Sequence, residues 1–513
     1  MPITQSGQIN TTALVTPDLY VQIVTPSIYL LNGVPTNVVG LVGTATWGPT
    51  NSPAIVAGLA DYTAQFGAIQ NRKYDMGTAL AAAVLQGAAI GFRCIRVTDG
   101  TDVAASVVVQ TSCITLTAKY TGTRGNTLSV SIGPGSAASS YKVSISLPGV
   151  VGEIFDNITG TGNALWVNMA AAINGGQSAL RGPSKLVTAS AGAGVTAPTT
   201  TTYTLSGGTD GATTITGSVL VGLDTVPRKG MYAMRGQGIS VAALVDCDDS
   251  TTWSTQVTFG LSEGIYMVAT GPAGDTIANA VSVKSTAGID SYAMKLMLGD
   301  WVMFLDTVNG VQRLISPQGF VVGLMGNQAP HQSTLNKPIY GVVGTQKSIA
   351  SQNYSSAELQ TLAQAGIDVI TNPLPRGAVF GCRFGRNTSS NAVIHGDNYT
   401  RMTNYIAATL NAGMGIYVGE LQSPDTRRRA KITLDSFLQA LADQGLIGTA
   451  DGTVPYQTVL DTTNNPQTRV ALGYMQADVK VVYLSVIEYF IVNLEGGQSV
   501  QISRQSTTLN TAY

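Results

Sequence analysis

GVPTNVVGLVGTATWGP, residues 33 to 49, is the stretch on which the fold turns. Val38, Val39, Leu41 and Val42 form a short apolar run with no polar alternation, bounded by Pro and Gly. A strand covered on both faces reads this way, as in a parallel sheet packed between helices. Working outward, LADYTAQFG (59–67) reads as a short helix ending at Gly67. DMGTALAAAVLQGAA (75–89) reads as a second helix and FRCIRV (92–97) as a second strand. Strand, helix, helix, strand predicts an α/β unit.

The character then changes. ITLTAKYTG (114–122), NTLSVSI (126–132) and YKVSISL (141–147) alternate like strands, and NALWVNMAAAING (163–175) reads as one helix. From Thr196 to Thr216, 10 of 21 residues are Thr, which predicts a polar, weakly structured seam. The α/β rhythm resumes at GISVAALVD (238–246), with a helix expected from Asp249. Strand IYMVAT (265–270), helix AGDTIANAVSVKSTAG (273–288) and strand WVMFLDTV (301–308) follow. Asn309-Gly310 predicts a hairpin turn into VQRLIS (311–316).

The last third carries clear punctuation. Ser355 and Glu358 have capping-box spacing ahead of LQTLAQAG, which stops at Gly366. IDVIT (367–371) reads as a strand, and DNYTRMTNYIAATLNAG (397–413) as a helix with Tyr399, Met402, Ile406 and Leu410 on one face. Ser423-Pro424 opens a long helix in the cap-and-first-turn arrangement, with the stripe Ala430, Leu434, Phe437, Leu438 and Leu441. DVKVVYL (478–484) and IEYFIVNLE (487–495) are strand-like, the second apolar on both faces. Near the other end, TTALVTPDLYVQIV (11–24) places Leu19, Val21 and Ile23 on one strand face and Tyr20 on the other. It has no partner within hairpin distance, and a lone strand cannot satisfy its own backbone groups.

Charged residues make up 11% of the chain, against about 25% for an average soluble domain. Such a surface has little charge to oppose association. Net charge is −1, and nothing reads as the basic stripe of a nucleic-acid binder. No Lys or Arg precedes Arg72, so no secretory signal is read. The most apolar stretch, 77–92, is too short for a membrane span and is broken by Gln86. Cys94, Cys113, Cys247 and Cys382 are far apart and read as free buried thiols.

Signs of catalysis are few. His331 and His395 stand alone, and no H-x-x-x-H, G-x-S-x-G or Walker loop occurs. Asp246, Asp248 and Asp249 cluster at a strand end, where helix capping is simpler than a bound cation. No cofactor and no metal site is expected. One charge cluster stands out: Arg427, Arg428, Arg429 and Lys431 occupy the first turns of a helix. Cations there oppose the helix dipole. Either an anionic partner offsets them or they form a solvated face.

These parts together resemble the contractile tail sheath proteins. GVPTNVVGLVGTATWGPTNSPAIVAGLADYTAQFG is similar to the family's opening, in which a helix ends in Phe-Gly. NPLPRGAVFGCRFGRNTS resembles its Asn-Pro…Gly…Gly-x-Arg-Thr stretch, with Asn387 ahead of Thr388. GDWVMFLDTVNGVQRLISPQGFVVGLMG is similar to the segment that ends in a Pro-x-Gly turn and a small apolar strand. VLDTTNNPQTRVALGYMQADVKVVYLSVIEYFIV follows the closing pattern, Asn-Asn-Pro before two strands.

The resemblance implies a multi-domain α/β (α+β) fold. A discontinuous α/β core would carry an inserted β-rich domain and extended N- and C-terminal strand arms. The expected boundaries are an arm over 1–32, core over 33–100 and 213–345, and an outer domain over 101–212. A C-terminal domain facing the tube (346–484) and a second arm (485–513) complete them. The arms would add strands to neighbouring subunits through Leu19, Tyr20, Val21, Ile23, Tyr489, Phe490, Ile491, Val492 and Leu494. The helix of Arg427, Arg428, Arg429 and Lys431 would face the tube. The implied function is structural: a helical homo-polymer of hexameric rings around a tail tube, which contracts to drive the tube through a host envelope. Its other partners would be the tube, baseplate and tail terminator proteins, with no nucleic acid or membrane. Its place would be the phage virion, assembled in the bacterial cytoplasm, or a pyocin-like or other contractile injection system. Two rivals lack their sequence signs: an enzyme would need a titratable constellation, and a surface-layer protein or adhesin an export signal.

Overall fold

The computed structural model describes residues 4–6, 21–23, 30–87, 90–179 and 181–494. In the N-terminal arm, β1 (Thr4–Ser6) and β2 (Val21–Ile23) pair in parallel. The first core segment follows: β3 (Val38–Gly43), β4 (Ala54–Val56), α1 (Leu59–Phe66), α2 (Met76–Val84) and β5 (Gly91–Arg96). Asp75 starts α2 by accepting a hydrogen bond from the Thr78 amide.

A second unit comes next: β6 (Ser106–Val109), β7 (Ile114–Ala118), β8 (Ser129–Pro134), β9 (Tyr141–Ser146), β10 (Glu153–Ile158), α3 (Asn163–Gly175), β11 (Val187–Ala191) and β12 (Thr201–Thr204). Two sheets, ordered β10-β9-β8-β12 and β11-β7-β6, share a core with Trp166, Met169 and Ile173 of α3. The Thr-rich stretch departs from expectation here. Thr201–Thr204 is a strand, paired antiparallel with Ser129–Ile132. β-branched threonines suit a half-exposed edge strand, so polarity did not mean disorder.

Three side chains stitch this unit to the core. Trp47, from beyond β3, is buried in the unit's own cluster, edge-on to Tyr120 at 5.4 Å. Arg96, fully buried, donates to the carbonyls of Gly48 (3.0 Å), Thr121 (2.7 Å) and Asp210 (3.2 Å). Arg124 reaches back to the carbonyls of Thr63 (2.6 Å) and Ala64 (2.9 Å).

The core resumes with α4 (Gly217–Val221), β13 (Val241–Leu244), α5 (Trp253–Glu263), β14 (Tyr266–Thr270), α6 (Ile277–Ala287) and β15 (Met294–Met297). The central sheet runs β15-β14-β13-β3-β5-β4, parallel apart from the antiparallel edge strand β4. Its parallel strands are buried nearly throughout, which explains their unbroken apolar runs. β16 (Val302–Asp306) and β17 (Val311–Ile315) form the expected hairpin.

QGFVVGLMG, expected to hold a small apolar strand, is instead the helix α7 (Gln318–Asn327). A buried apolar run does not reveal its period. The glycines do so in retrospect. Gly319 and Gly323, four apart, lie on one helix face, and both press on the alanines of α2. A Cβ on Gly319 would lie 2.8 Å from the Ala79 carbonyl oxygen, and one on Gly323 only 2.5 Å from the Ala83 Cα. The two backbones approach this closely only because α7 presents glycine and α2 nothing larger than alanine.

The remainder comprises β18 (Val342–Thr345), α8 (Gln346–Ile349), α9 (Ser356–Ala365), β19 (Ile370–Thr371), β20 (Gly381–Cys382), α10 (Asp397–Gly413), α11 (Pro424–Asp443), β21 (Tyr456–Val459) and β22 (Asp478–Val481). Ser355 and Glu358 form the expected capping box on α9. Helices α10 and α11 build a separate small core from Met402, Ile406, Phe437, Leu438 and Leu441.

What holds α10 to the central sheet is ionic. Lys295 lies in β15 with its side chain wholly buried, 2.5 Å from Asp368 and 3.1 Å from Asp397, both also wholly buried. Burial opposes the ammonium charge, but the two carboxylates outweigh it and hold the Lys295 pKa above its usual value. Asp397, the first residue of α10, also accepts from the Tyr266 hydroxyl at 2.5 Å and from Thr334. Asp368 accepts the amides of Phe384 (3.0 Å) and Gly385 (2.9 Å).

Two outcomes are expected. Gly→Ala inside a helix ordinarily gains up to about 1 kcal/mol; Gly323→Ala should instead cost about 1–3 kcal/mol by overpacking. Gly175→Ala, with open space around its Cβ, should not. Urea titration of both variants checks the contrast. Lys295→Met should cost about 3–5 kcal/mol at pH 7, because it leaves two buried carboxylates without a counter-charge. Melting curves at pH 7 read it directly.

Candidate functional site

The chain on both sides of the body, near Val34 and near Leu484, is seated on α10. On the N-terminal side, the Val34 amide donates to Thr409 Oγ1 at 3.2 Å. Gly33 lies so close to Tyr405 that a Cβ would sit 2.0 Å from its hydroxyl, and a Cβ on Gly413 would sit 2.1 Å from Leu31. On the C-terminal side, Tyr483 packs edge-on against Tyr399 with ring centres 5.8 Å apart. Asn398 Nδ2 donates to the Leu484 carbonyl at 3.3 Å. Thr409 and Asn398 are eleven residues apart, about 16 Å along a helix at 1.5 Å per residue.

The expected arm residues separate into three groups. Leu19 and Tyr20 lie outside the described residues. Val21 and Ile23 belong to β2 and face Thr4 and Ser6 of the same chain, a pairing the sequence had not suggested. Tyr489, Phe490, Ile491, Val492 and Leu494 are exposed, by 68% to 91%. Residues 487–494 form no strand within this chain, and Glu495 lies outside the described residues. A strand exists only as a member of a ladder, and no described residue pairs with this segment. Close by, β21 and β22 make a sheet of two strands, fewer than independent stability usually requires.

The basic helix is also built as expected at its cap: Ser423 accepts from the Thr426 amide at 3.0 Å, with Pro424 in the first turn. Its electrostatics need a correction. Arg428 pairs with Asp425 at 2.5 Å, Arg429 with Glu420 at 2.9 Å and Lys431 with Asp435 at 2.6 Å. The chain thus supplies three carboxylates for four cations, and Asp425 also complements the helix dipole. Arg427 has no salt bridge to a described residue, and its Nε is buried without a partner. Val418, Leu421, Leu472 and Tyr474 are exposed on neighbouring segments, which the Gln422–Tyr474 hydrogen bond (2.9 Å) holds together.

The residues weighed for chemistry have structural partners. Asp246 accepts the amides of Tyr74 and Ser316, both at 3.2 Å; Asp248 pairs with Lys73 at 2.8 Å; Asp249 caps the turn at Thr251. The four cysteines are buried and unpaired. Among the described residues no cluster of His, Cys, Asp and Glu could hold a metal ion. His395 lies 3.2 Å from Glu488. Burial, and then the Arg386 cation, lower the His395 pKa, so the ring is neutral near pH 7. Sequence reasoning missed the Lys295–Asp368–Asp397 cluster and the contacts of Glu488. A lysine inside the apolar run AMKLML (293–298) was the one available signal for the first.

Neither a protein-family model nor a curated protein matches the sequence. Solved structures do match the fold. The sheath tail protein of Listeria innocua has a TM-score of 0.58 at 15% identity, covering 84% of this chain and 90% of its own. The sheath tail protein of Desulfitobacterium hafniense has a TM-score of 0.54 at 17% identity, covering 86% and 93%. The contracted sheath of an extracellular contractile injection system has a TM-score of 0.55 at 11% identity, covering 95% and 99%. The chain therefore has the fold of the contractile tail sheath proteins.

Proposed function

We propose that the protein is the structural subunit of a contractile tail sheath. It polymerises helically, in hexameric rings around a tail tube, and contracts to drive the tube through a host envelope. The observation that carries this reading is the C-terminal arm: an apolar segment left uncovered by its own chain, beside a two-stranded sheet. A neighbouring copy supplies what each lacks. Strand addition satisfies the backbone of both partners, and alternate side chains set the register. The N-terminal arm, with Leu19, Tyr20, Val21 and Ile23, has the same role. Tube, baseplate and terminator proteins are the other partners, and the virion is the site of action. The likeness to the injection-system sheath, which spans nearly all of both chains, keeps a pyocin-like or injection-system particle as the second reading.

Arg427, Arg428, Arg429 and Lys431 face the tube in this reading. Their ion pairs are exposed, and such pairs are worth only about 0.2–1 kcal/mol each, so they exchange readily for partner carboxylates. Repetition along the tube turns weak contacts into firm holding.

Deletion of residues 1–24, or of everything after Glu488, should leave a folded monomer that builds no tubes. Each arm risks ladder bonds of about 0.5–1.5 kcal/mol, lost between subunits rather than within one. Electron microscopy checks assembly, and a melting curve that barely moves checks the fold. Reversal of charge at Arg427 and Arg428 to Glu should spare self-assembly but abolish loading on tubes of the partner protein. Wild-type loading should weaken between 0.1 M and 1 M salt, where the Debye length falls from about 10 Å to about 3 Å. Co-sedimentation reads both effects.

A further inference from the structure

Glu488 is the last shielded side chain before the exposed arm; every residue from Tyr489 to Leu494 is exposed. Its carboxylate is held by Arg386, whose Nη2 pairs with Oε2, and His395 Nε2 lies 3.2 Å from Oε1. The three side chains are 16%, 18% and 24% exposed for Arg386, His395 and Glu488, so water screens the contact only in part.

Arg386 and His395 stand on one loop, and the buried ion cluster fixes both ends of that loop. The Gly385 amide donates to Asp368 at 2.9 Å, and the Arg386 carbonyl accepts from Lys295 at 3.2 Å. The Asp397 amide donates to the Gly385 carbonyl at 3.1 Å, which closes the loop at its base. Across its middle, Asn387 donates from its amide to the His395 carbonyl (2.7 Å) and from Nδ2 to that of Ile394 (2.7 Å). Arg386 and His395 are thus carried by backbone that cannot shift without disturbing buried charge.

We propose that Glu488 is a positioning residue: clamped by Arg386, it fixes the direction in which the C-terminal arm leaves the body. The clamp gives the arm a defined root, so strand addition begins from an aimed segment. This role in assembly rests on the sheath reading; the clamp itself does not. Without it, the nearest fixed point is Leu484, held by Asn398. The free chain to residue 491 then lengthens from three residues to seven. Its spread, about 5–6 Å times the square root of the residue number, grows about 1.5-fold, from roughly 10 Å to roughly 15 Å.

The test places spin labels on Ile491→Cys and Ala440→Cys, the second on the exposed side of α11; the four native cysteines are buried and stay unlabelled. Pulsed dipolar spectroscopy on full-length subunits, below the concentration of self-assembly, reads the spread of the arm. Glu488→Arg should broaden the distance distribution about 1.5-fold, and the swap Arg386→Glu with Glu488→Arg should narrow it again. A Glu488→Arg distribution as narrow as wild type, or a swap as broad as Glu488→Arg alone, overturns the clamp. Electron microscopy of the same proteins separates the two claims. Wild type that builds no tubes removes the sheath reading and leaves the clamp standing. Tubes of wild type and the swap, with irregular or absent tubes of Glu488→Arg, support its role in assembly.

Discussion

A single buried ammonium ties the halves of this molecule together. Lys295 belongs to the edge of the central sheet, Asp368 to the segment beyond it and Asp397 to the start of α10. Each carboxylate has further donors, which satisfy its oxygens. Such a cluster need not stabilise more than a well-packed apolar one would. It does specify geometry: only one placement of α10 brings its first residue to the lysine, and everything C-terminal inherits that placement. The small core under α10 and α11, the two-stranded sheet and the roots of both arms are positioned through it.

The rest of the body is joined largely by close approach and by hydrogen bonds to main-chain carbonyls, with the Arg72–Asp210 pair beside them. Helices α2 and α7 touch backbone to backbone, because glycine meets alanine along the whole contact. The β-rich unit is fastened by a tryptophan from the core and by arginines that donate to main-chain carbonyls on both sides of the boundary. Bonds to carbonyls depend on backbone shape, not on neighbouring side chains. Unit and core are therefore joined through their backbones.

Much of this was legible because it is local. The apolar runs of β3, β13 and β14, the capping box at Ser355 and the stripe from Ala430 to Leu441 need only nearest-neighbour rules, and those rules held. Readings failed where distant residues decide. GFVVGLMG is apolar all round, so its helix became visible only against the alanines of α2. The Thr-rich stretch looked structureless until β8 gave it an edge to join. For IEYFIVNLE the expected partner was a neighbouring subunit, and no described residue of this chain pairs with it. The basic helix misled in the opposite way: its cations looked unopposed, although Glu420 lies just ahead of the helix and Asp435 one turn beyond Lys431. Lys295 could be noticed but not interpreted, since its partners lie 73 and 102 positions away.

The seating of both arm roots on α10 has a mechanical consequence. A helix is nearly inextensible along its axis, since stretching it means breaking its ladder of hydrogen bonds. With one arm leaving near Thr409 and the other near Asn398, α10 acts as a spacer bar of about 16 Å between two tethers. In the proposed assembly, tension arriving through one arm would pass to the other along this bar, beside the buried tie of Asp397 to the central sheet.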